Sequence, residues 1–215
     1  MKEFFINLLD WIYKKKCYFC KSSKECLSMC SKCYNEMDYL PFNVNRIVNG
    51  KKVYCAGVYE KNLQKLIRGL KYHRQKDLAY FLAKFMFEYW QKITDEKSFQ
   101  VVPVPIYYKR KKKRKYNHME ITGIEFCRLG GYNYNPNLIE RIKDTKPQYK
   151  LSKEERIKNL SNAFKVNKDN IMDGTILLID DICTTGSTFE EMIKELNKNG
   201  ITDIVCLTAT TPFRD

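Results

Sequence analysis

The sequence predicts an α/β fold, a largely parallel sheet with helices on both faces. Three observations predict it. Apolar, β-branched runs such as Thr175-Ile176-Leu177-Leu178-Ile179 show no polar alternation, as expected of strands covered on both sides. Between such runs, apolar residues recur at helical spacing. Strands and helices then alternate to the end of the chain, which favours parallel pairing.

The elements follow in order. Met1 to Lys16 reads as an amphipathic helix, because Glu3 and Asp10 interrupt it and no small-residue cleavage site follows. Residues 17–40 form a cysteine-rich module. Val53 to Tyr59 alternates like an exposed strand. Leu63, Leu66, Ile67 and Leu70 make one helix face. Leu78, Phe81, Leu82, Phe85, Met86 and Tyr89 make another, with Asp77 as its expected N-cap. Phe99 to Val104 is a buried strand that must end near Pro103 and Pro105, which cannot donate to a ladder. Residues 107–117 are a basic segment. A helix is expected from Met119 to Leu129, stopped by Gly130-Gly131. Leu138 to Ile142 and Ala163 to Val166 are short strands, with a helix across Lys153 to Leu160. Ser187 to Asn197 is a helix with Gly200 at C′, and Ile204 to Thr208 is the last strand. These divide into 1–40, an N-terminal helix and metal module; 41–98, a strand and helical hood or connecting region; and 99–215, the core domain.

Composition narrows the function. The 215 residues carry a net charge of +14. It is concentrated at 41–160, which holds +16, against +2 for 1–40 and −4 for 161–215. A polyanion or a phosphate-rich ligand is the natural partner. No run approaches the ~18 uncharged apolar residues that a membrane span needs. With no export signal, the chain is expected to be cytoplasmic.

The nine cysteines are an odd number, which argues against a disulfide framework. Cys17-x2-Cys20 and Cys30-x2-Cys33 are two knuckles nine residues apart, a spacing suited to one tetrahedral Zn²⁺. Four thiolates close the shell, so the metal would be structural and would supply folding energy to a segment with little core. Cys26 is an alternative ligand. An Fe–S centre is the lesser metal reading. Cys55, Cys127, Cys183 and Cys206 sit in apolar segments and read as small buried hydrophobes.

The most specific feature is Ile179-Asp180-Asp181-Ile182-Cys183-Thr184-Thr185-Gly186-Ser187-Thr188. Ligands of open parallel sheets bind at the carboxyl ends of strands. Gly186 lets the loop curl so that its amides, the hydroxyls of Thr184, Thr185, Ser187 and Thr188, and the following helix N-terminus form a nest for a phosphate. Asp180 and Asp181 lie one step back, where they suit a diol. A phosphate and a diol at that separation describe a ribose 5-phosphate. No Gly-x4-Gly-Lys and no Gly-x-Gly-x-x-Gly occurs, which excludes the commonest nucleoside triphosphatase and dinucleotide signatures.

This stretch resembles the loop of type I phosphoribosyltransferases that binds 5-phosphoribosyl 1-diphosphate (PRPP). The resemblance implies a doubly wound parallel sheet with a variable hood. It also implies Asp180 and Asp181 on the ribose hydroxyls and Thr184 to Thr188 on the 5-phosphate. An ordered set of patches resembles the ComF competence family more narrowly. The set comprises the cysteine module, Leu70-Lys71-Tyr72, Val102-Pro103-Val104-Pro105, Arg114-x-Tyr116-Asn117 and Gln148…Arg156-x-x-Asn159. That family usually has Gly and Gln where this chain has Lys115 and His118. A role for φ > 0 at Lys115 is therefore in question.

The resemblance places pyrophosphate after Val104-Pro105 and brings Mg²⁺ with it. Lys71 and Arg114 are the candidate contacts, with Gln148, Arg156 and Asn159 on a loop that closes over the site. Lys109, Arg110, Lys111, Lys112, Lys113, Arg114 and Lys115 are seven consecutive cations, more than one diphosphate requires. With Tyr108 and Tyr116 beside them, they suit single-stranded nucleic acid. A family linked to natural transformation strengthens that expectation and suggests a competence helicase or another DNA-processing protein as partner. A transferase moving phosphoribose from PRPP to a base or amine is the alternative. No catalytic general base is evident; His73 and His118 read as neither ligand nor base.

Overall fold

The computed structural model describes residues 15–25, 27–42, 45–95, 98–145 and 159–212. The expected N-terminal helix, Cys26, Gln148, Arg156 and most of the expected Lys153–Leu160 helix lie outside them.

The elements are α1 (Ser31–Asn35), β1 (Asn45–Val48), β2 (Lys51–Val58), α2 (Lys61–Tyr72), α3 (Leu78–Trp90), β3 (Phe99–Pro103), α4 (Tyr108–Arg114), α5 (His118–Gly130), β4 (Asn133–Tyr134), β5 (Ile139–Arg141), β6 (Phe164–Val166), β7 (Thr175–Ile182), α6 (Ser187–Lys198) and β8 (Ile204–Thr211). The main sheet runs β1-β2-β8-β7-β3-β4. All its pairs are parallel except the β1–β2 hairpin at one edge. From β3 the chain proceeds to β4 on one side, and from β7 to β8 on the other. The topological switch point therefore lies between β3 and β7, where an open α/β sheet leaves a crevice beyond its carboxyl ends.

Both faces are covered, as the apolar runs require. Leu177 and Ile179 of β7 face a core shared with Leu66 and Ile67 of α2, Leu82 and Phe85 of α3, and Phe126 of α5. Ile176 and Leu178 face the opposite core, with Phe189, Met192, Ile193 and Leu196 of α6. Cys55, Cys127, Cys183 and Cys206 are buried, as expected of small hydrophobes.

Four local expectations change. Strand β2 is not exposed: Val53, Cys55, Ala56 and Gly57 are buried, because β1 and β8 flank the strand and cores cover both its faces. The short strands β5 and β6 pair antiparallel in a sheet of their own, outside the parallel one. Asp77 does not cap α3. Its backbone is already helical, and its carboxylate is taken by Lys15 and by Ser28, whose Oγ lies 3.3 Å away. The basic segment is a short helix, α4, ended by Lys115. Lys115 adopts φ +71°, the left-handed conformation that a glycine takes without strain.

The cysteine module is seated on α2 and α3. Phe19, Met29 and Tyr34 join the core beneath α2 and α3. The Phe19 carbonyl accepts from Lys65 at 2.9 Å, and the Cys33 carbonyl from Asn62 at 3.0 Å. Tyr34 and Tyr39 both donate to Glu88, at 2.6 and 2.7 Å.

Candidate functional site

At the end of β7 the two carboxylates have different surroundings. Asp181 is buried and on the α2–α5 side, where its Oδ2 meets Lys71 Nζ at 2.6 Å and also His118 Nε2. Burial raises its pKa, but the Lys71 charge and the His118 hydrogen bond outweigh that and hold the carboxyl far below the usual carboxylate range. The same burial keeps His118 below its ordinary value, against the pull of Asp181, and facing an ionised carboxylate its Nε2 is the donor. The other ring nitrogen, Nδ1, is buried with no hydrogen-bond partner. Asp180 is less enclosed and receives the Asp181 amide at 2.9 Å. Desolvation, then the charge of Asp181, push it up to about 7.

The loop after β7 has the curl expected of it. Gly186 has φ +80°, and a Cβ there would come within 2.7 Å of Val48 Cγ2, so a side chain is excluded twice over. Arg46 reaches across from β1 to donate to the Thr184 carbonyl at 2.6 Å. The Thr185 and Ser187 hydroxyls are 2.7 Å apart. Helix α6 begins at Ser187 after Gly186, which offers no side-chain cap; the Thr185 hydroxyl accepts from the Ser187 amide at 3.4 Å, and the positive end of the helix meets the loop. Asp180, Thr184, Gly186, Ser187 and Thr188 line one small concavity with Cys183, whose thiol burial pushes up to about 11.

The remaining sequence candidates divide. Lys71 and Arg114 were candidates for one anion, but Lys71 is engaged with Asp181 while Arg114 lies over the Tyr72 ring, 5.7 Å from its centroid. Lys109 pairs with Asp144 at 3.6 Å and Lys111 with Glu120 at 2.9 Å. Both pairs are exposed, so they contribute little stability. Tyr108 is exposed against Tyr107; Tyr116 is half-buried and donates its hydroxyl to the Leu70 carbonyl. Lys112, Lys113 and Lys115 are exposed. Asn159 is half-buried and helical, just before the turn at 161–162.

Two contributors were missed. His118 gave no signal beyond its position in the ComF pattern. Arg141 gave one: it shares the inward phase of β5 with Ile139 while Glu140 points out. A cation in the apolar phase of a strand calls for a partner. Arg141 is 6% exposed and donates to Thr145 Oγ1; Arg110 donates to the Thr145 carbonyl. Burial, then the Arg110 charge, lower Arg141 to about 10, and its Nε has no hydrogen-bond partner. Among the described residues no carboxylate forms an ion pair with either guanidinium. Two buried or half-buried like charges, with Asp144 and Asp180 near but neither in an ion pair with them among the described residues, suit an anion.

Cys17, Cys20, Cys30 and Cys33 bring their four sulfurs within 4.8 Å of one another. Thiolates about 2.3 Å from a tetrahedral zinc stand roughly 3.8 Å apart, and Cys20 and Cys30 are already at 3.6 Å. Burial pushes the Cys17 thiol up, but the amides of Cys20, Cys30 and Phe19 bring it down to about 6, which favours the thiolate a metal needs. The donor set fits a metal such as zinc. No helix among the described residues is long and apolar enough to cross a membrane.

Fold and site together define a mixed α/β protein with a mostly parallel sheet and an N-terminal four-cysteine cluster. Competence protein F of Haemophilus influenzae is 29% identical over 202 residues, covering 87% of this chain and 86% of that protein. DNA utilization protein YhgH of Salmonella typhimurium is 26% identical and that of Escherichia coli K12 is 27% identical, each over 154 residues, 70% of this chain and 67% of theirs. No family model matches the chain. These likenesses support the resemblance of this chain to the ComF family.

Proposed function

We propose that this protein binds PRPP or a related ribose 5-phosphate at the end of β7, together with single-stranded DNA, and acts in DNA uptake. The observation that carries the ligand is the pairing of a curled loop, Thr184 to Thr188, with two inward carboxylates whose charges are separately controlled. The loop amides and the α6 N-terminus would hold the 5-phosphate. Asp180 and Asp181 would accept from the ribose hydroxyls, with Lys71 and His118 keeping Asp181 ionised and oriented. Mg²⁺ would ride on the diphosphate oxygens and neutralise them. Gln148, Arg156 and Asn159 would belong to a segment that closes over the ligand. The four cysteines would hold a structural zinc. The DNA role follows from the exposed cations of α4 and from relatives named for competence and DNA utilization.

Transferase chemistry is the second reading, and Arg110 with Arg141 favours it. Their guanidiniums would stabilise a diphosphate as it leaves the anomeric carbon. The test of both is one titration series. PRPP with Mg²⁺ should raise the melting temperature, and Gly186→Val should abolish the shift. Added bases or amines should then release pyrophosphate if the second reading holds. No shift with PRPP would remove the ligand assignment. A shift without pyrophosphate across the panel would leave binding and remove transfer.

A further inference from the structure

Tyr72 is the last residue of α2, directly after the Lys71 that holds Asp181. Its ring is 57% exposed, unusual for a large aromatic in a helix whose other apolar residues are buried. The ring is bracketed by two guanidiniums: Arg68 Cζ lies 5.9 Å from its centroid and Arg114 Cζ 5.7 Å. Arg68 comes from the same helix, one turn earlier, whereas Arg114 reaches over from the end of α4. The ring thus joins the rim of the carboxylate site to the basic helix.

An exposed aromatic ring with cations drawn over it at nearly 6 Å suits a flat ring joined to phosphates, which can take the face while the guanidiniums move to the phosphates. A free base would account for the ring but not for the charge. Arg68, Arg114, and the exposed Lys112 and Lys113 beyond them make a track with more cations than one small ligand needs. Charge complementarity therefore favours a strand. Tyr108 and Tyr116 fit the part less well. Tyr108 packs against Tyr107, and Tyr116 is half-buried, with its hydroxyl bound to Leu70 and its ring under Lys76 at 5.0 Å.

We infer that Tyr72, with the Arg68 and Arg114 guanidiniums lying loosely over its ring, is a stacking platform for one base of single-stranded DNA at the rim of the ribose phosphate site. The inference rests on the DNA-binding part of the proposed function and assigns the base contact within it. A strand lying there would run from α4 across the mouth of the carboxylate site.

Fluorescence anisotropy of a labelled oligothymidylate tests it, with an abasic oligomer of equal length as control. Stacking on one aromatic is worth roughly 1–3 kcal/mol, so Tyr72→Ala should weaken oligothymidylate binding about tenfold. Tyr72→Phe should bind like the unaltered protein. On the abasic strand Tyr72→Ala should cost nothing, because only phosphates remain to be bound. Tyr72→Ala binding oligothymidylate as tightly as the unaltered protein overturns the platform while the DNA reading stands. An equal loss on the abasic strand also overturns it. Failure of the unaltered protein to bind either strand removes the DNA reading, and the platform with it. Free thymine or adenine that binds through Tyr72 without competition from the oligomer would assign the ring to an acceptor base instead. Tyr72 is exposed, so its substitutions leave the core packing intact.

Discussion

The carboxylate end of the site and its basic flank handle charge in opposite ways. Asp181 is buried with two partners on one oxygen, Lys71 and His118, so its ionisation is settled by the fold. Arg110 and Arg141, on the flank, converge on Thr145 with no carboxylate paired to either among the described residues. One region is complete without a ligand; the other carries charge that a ligand would complete. On the proposed reading, recognition of the sugar would be built in, whereas recognition of the second anionic group would depend on what binds.

Substitutions separate the two. The largest effect expected lies outside both, in the cysteine module that seats α2 and hence Lys71. If the four cysteines hold a metal as proposed, chelating it, or Cys17→Ser, should unfold residues 17–40 and lower the melting temperature by more than any single change in the site, as read by circular dichroism. Within the carboxylate region, Lys71→Met leaves Asp181 with the His118 imidazole as its remaining partner. It should cost about 3 kcal/mol in denaturant unfolding, because a buried charge loses its counter-ion. Arg110→Gln on the flank should instead be neutral or stabilising, since it removes a like charge from beside Arg141. If both cost the same, the contrast fails.

The two ends also differ in pH response. Asp180, raised to about 7 by burial and by Asp181, is protonated in the folded state at pH values where the unfolded chain has already lost the proton. Its contribution to folding is therefore present below the unfolded value and lost as pH rises through about 7. Ligand binding runs the other way, because the ionised carboxylate accepts from hydroxyls. Affinity for ribose 5-phosphate should rise between pH 6 and 8, measured by calorimetry, and Asp180→Asn should flatten the rise. Binding through the α4 cations should instead show a steep salt dependence. Replacing Lys111, Lys112 and Lys113 by Ala should lower the log–log salt slope for single-stranded DNA by about 2. The smallest effect belongs to Lys115, where φ +71° strains a side chain. Lys115→Gly should stabilise by about 1 kcal/mol in chemical denaturation.

Much of this was legible in the residues. The apolar run of β7, the helix after Ser187 and the need for glycine at 186 follow from local chemistry and recur in the structure. The Cys17, Cys20, Cys30 and Cys33 cluster follows from spacing. What was not legible depends on contacts distant in sequence. Nothing local says that His118 would turn toward Asp181, 63 positions away, or that Lys71 would meet the same oxygen. The exposed appearance of β2 misled because alternation records polarity, not neighbours, and β1 and β8 enclose the strand. At Lys115 the lysine in place of the family glycine put a positive φ in question, and the structure has one there despite the lysine.

The central claim is that β7 ends in a site for a phosphorylated ribose read through its diol. Isothermal calorimetry of ribose 5-phosphate against 2-deoxyribose 5-phosphate tests it most directly. Loss of one hydrogen bond to a charged group is worth roughly 1.5–3 kcal/mol, so the deoxy sugar should bind at least tenfold more weakly. In Asp180→Asn that difference should shrink. Equal affinities for the two sugars in the unaltered protein, or no binding of either, would contradict the account.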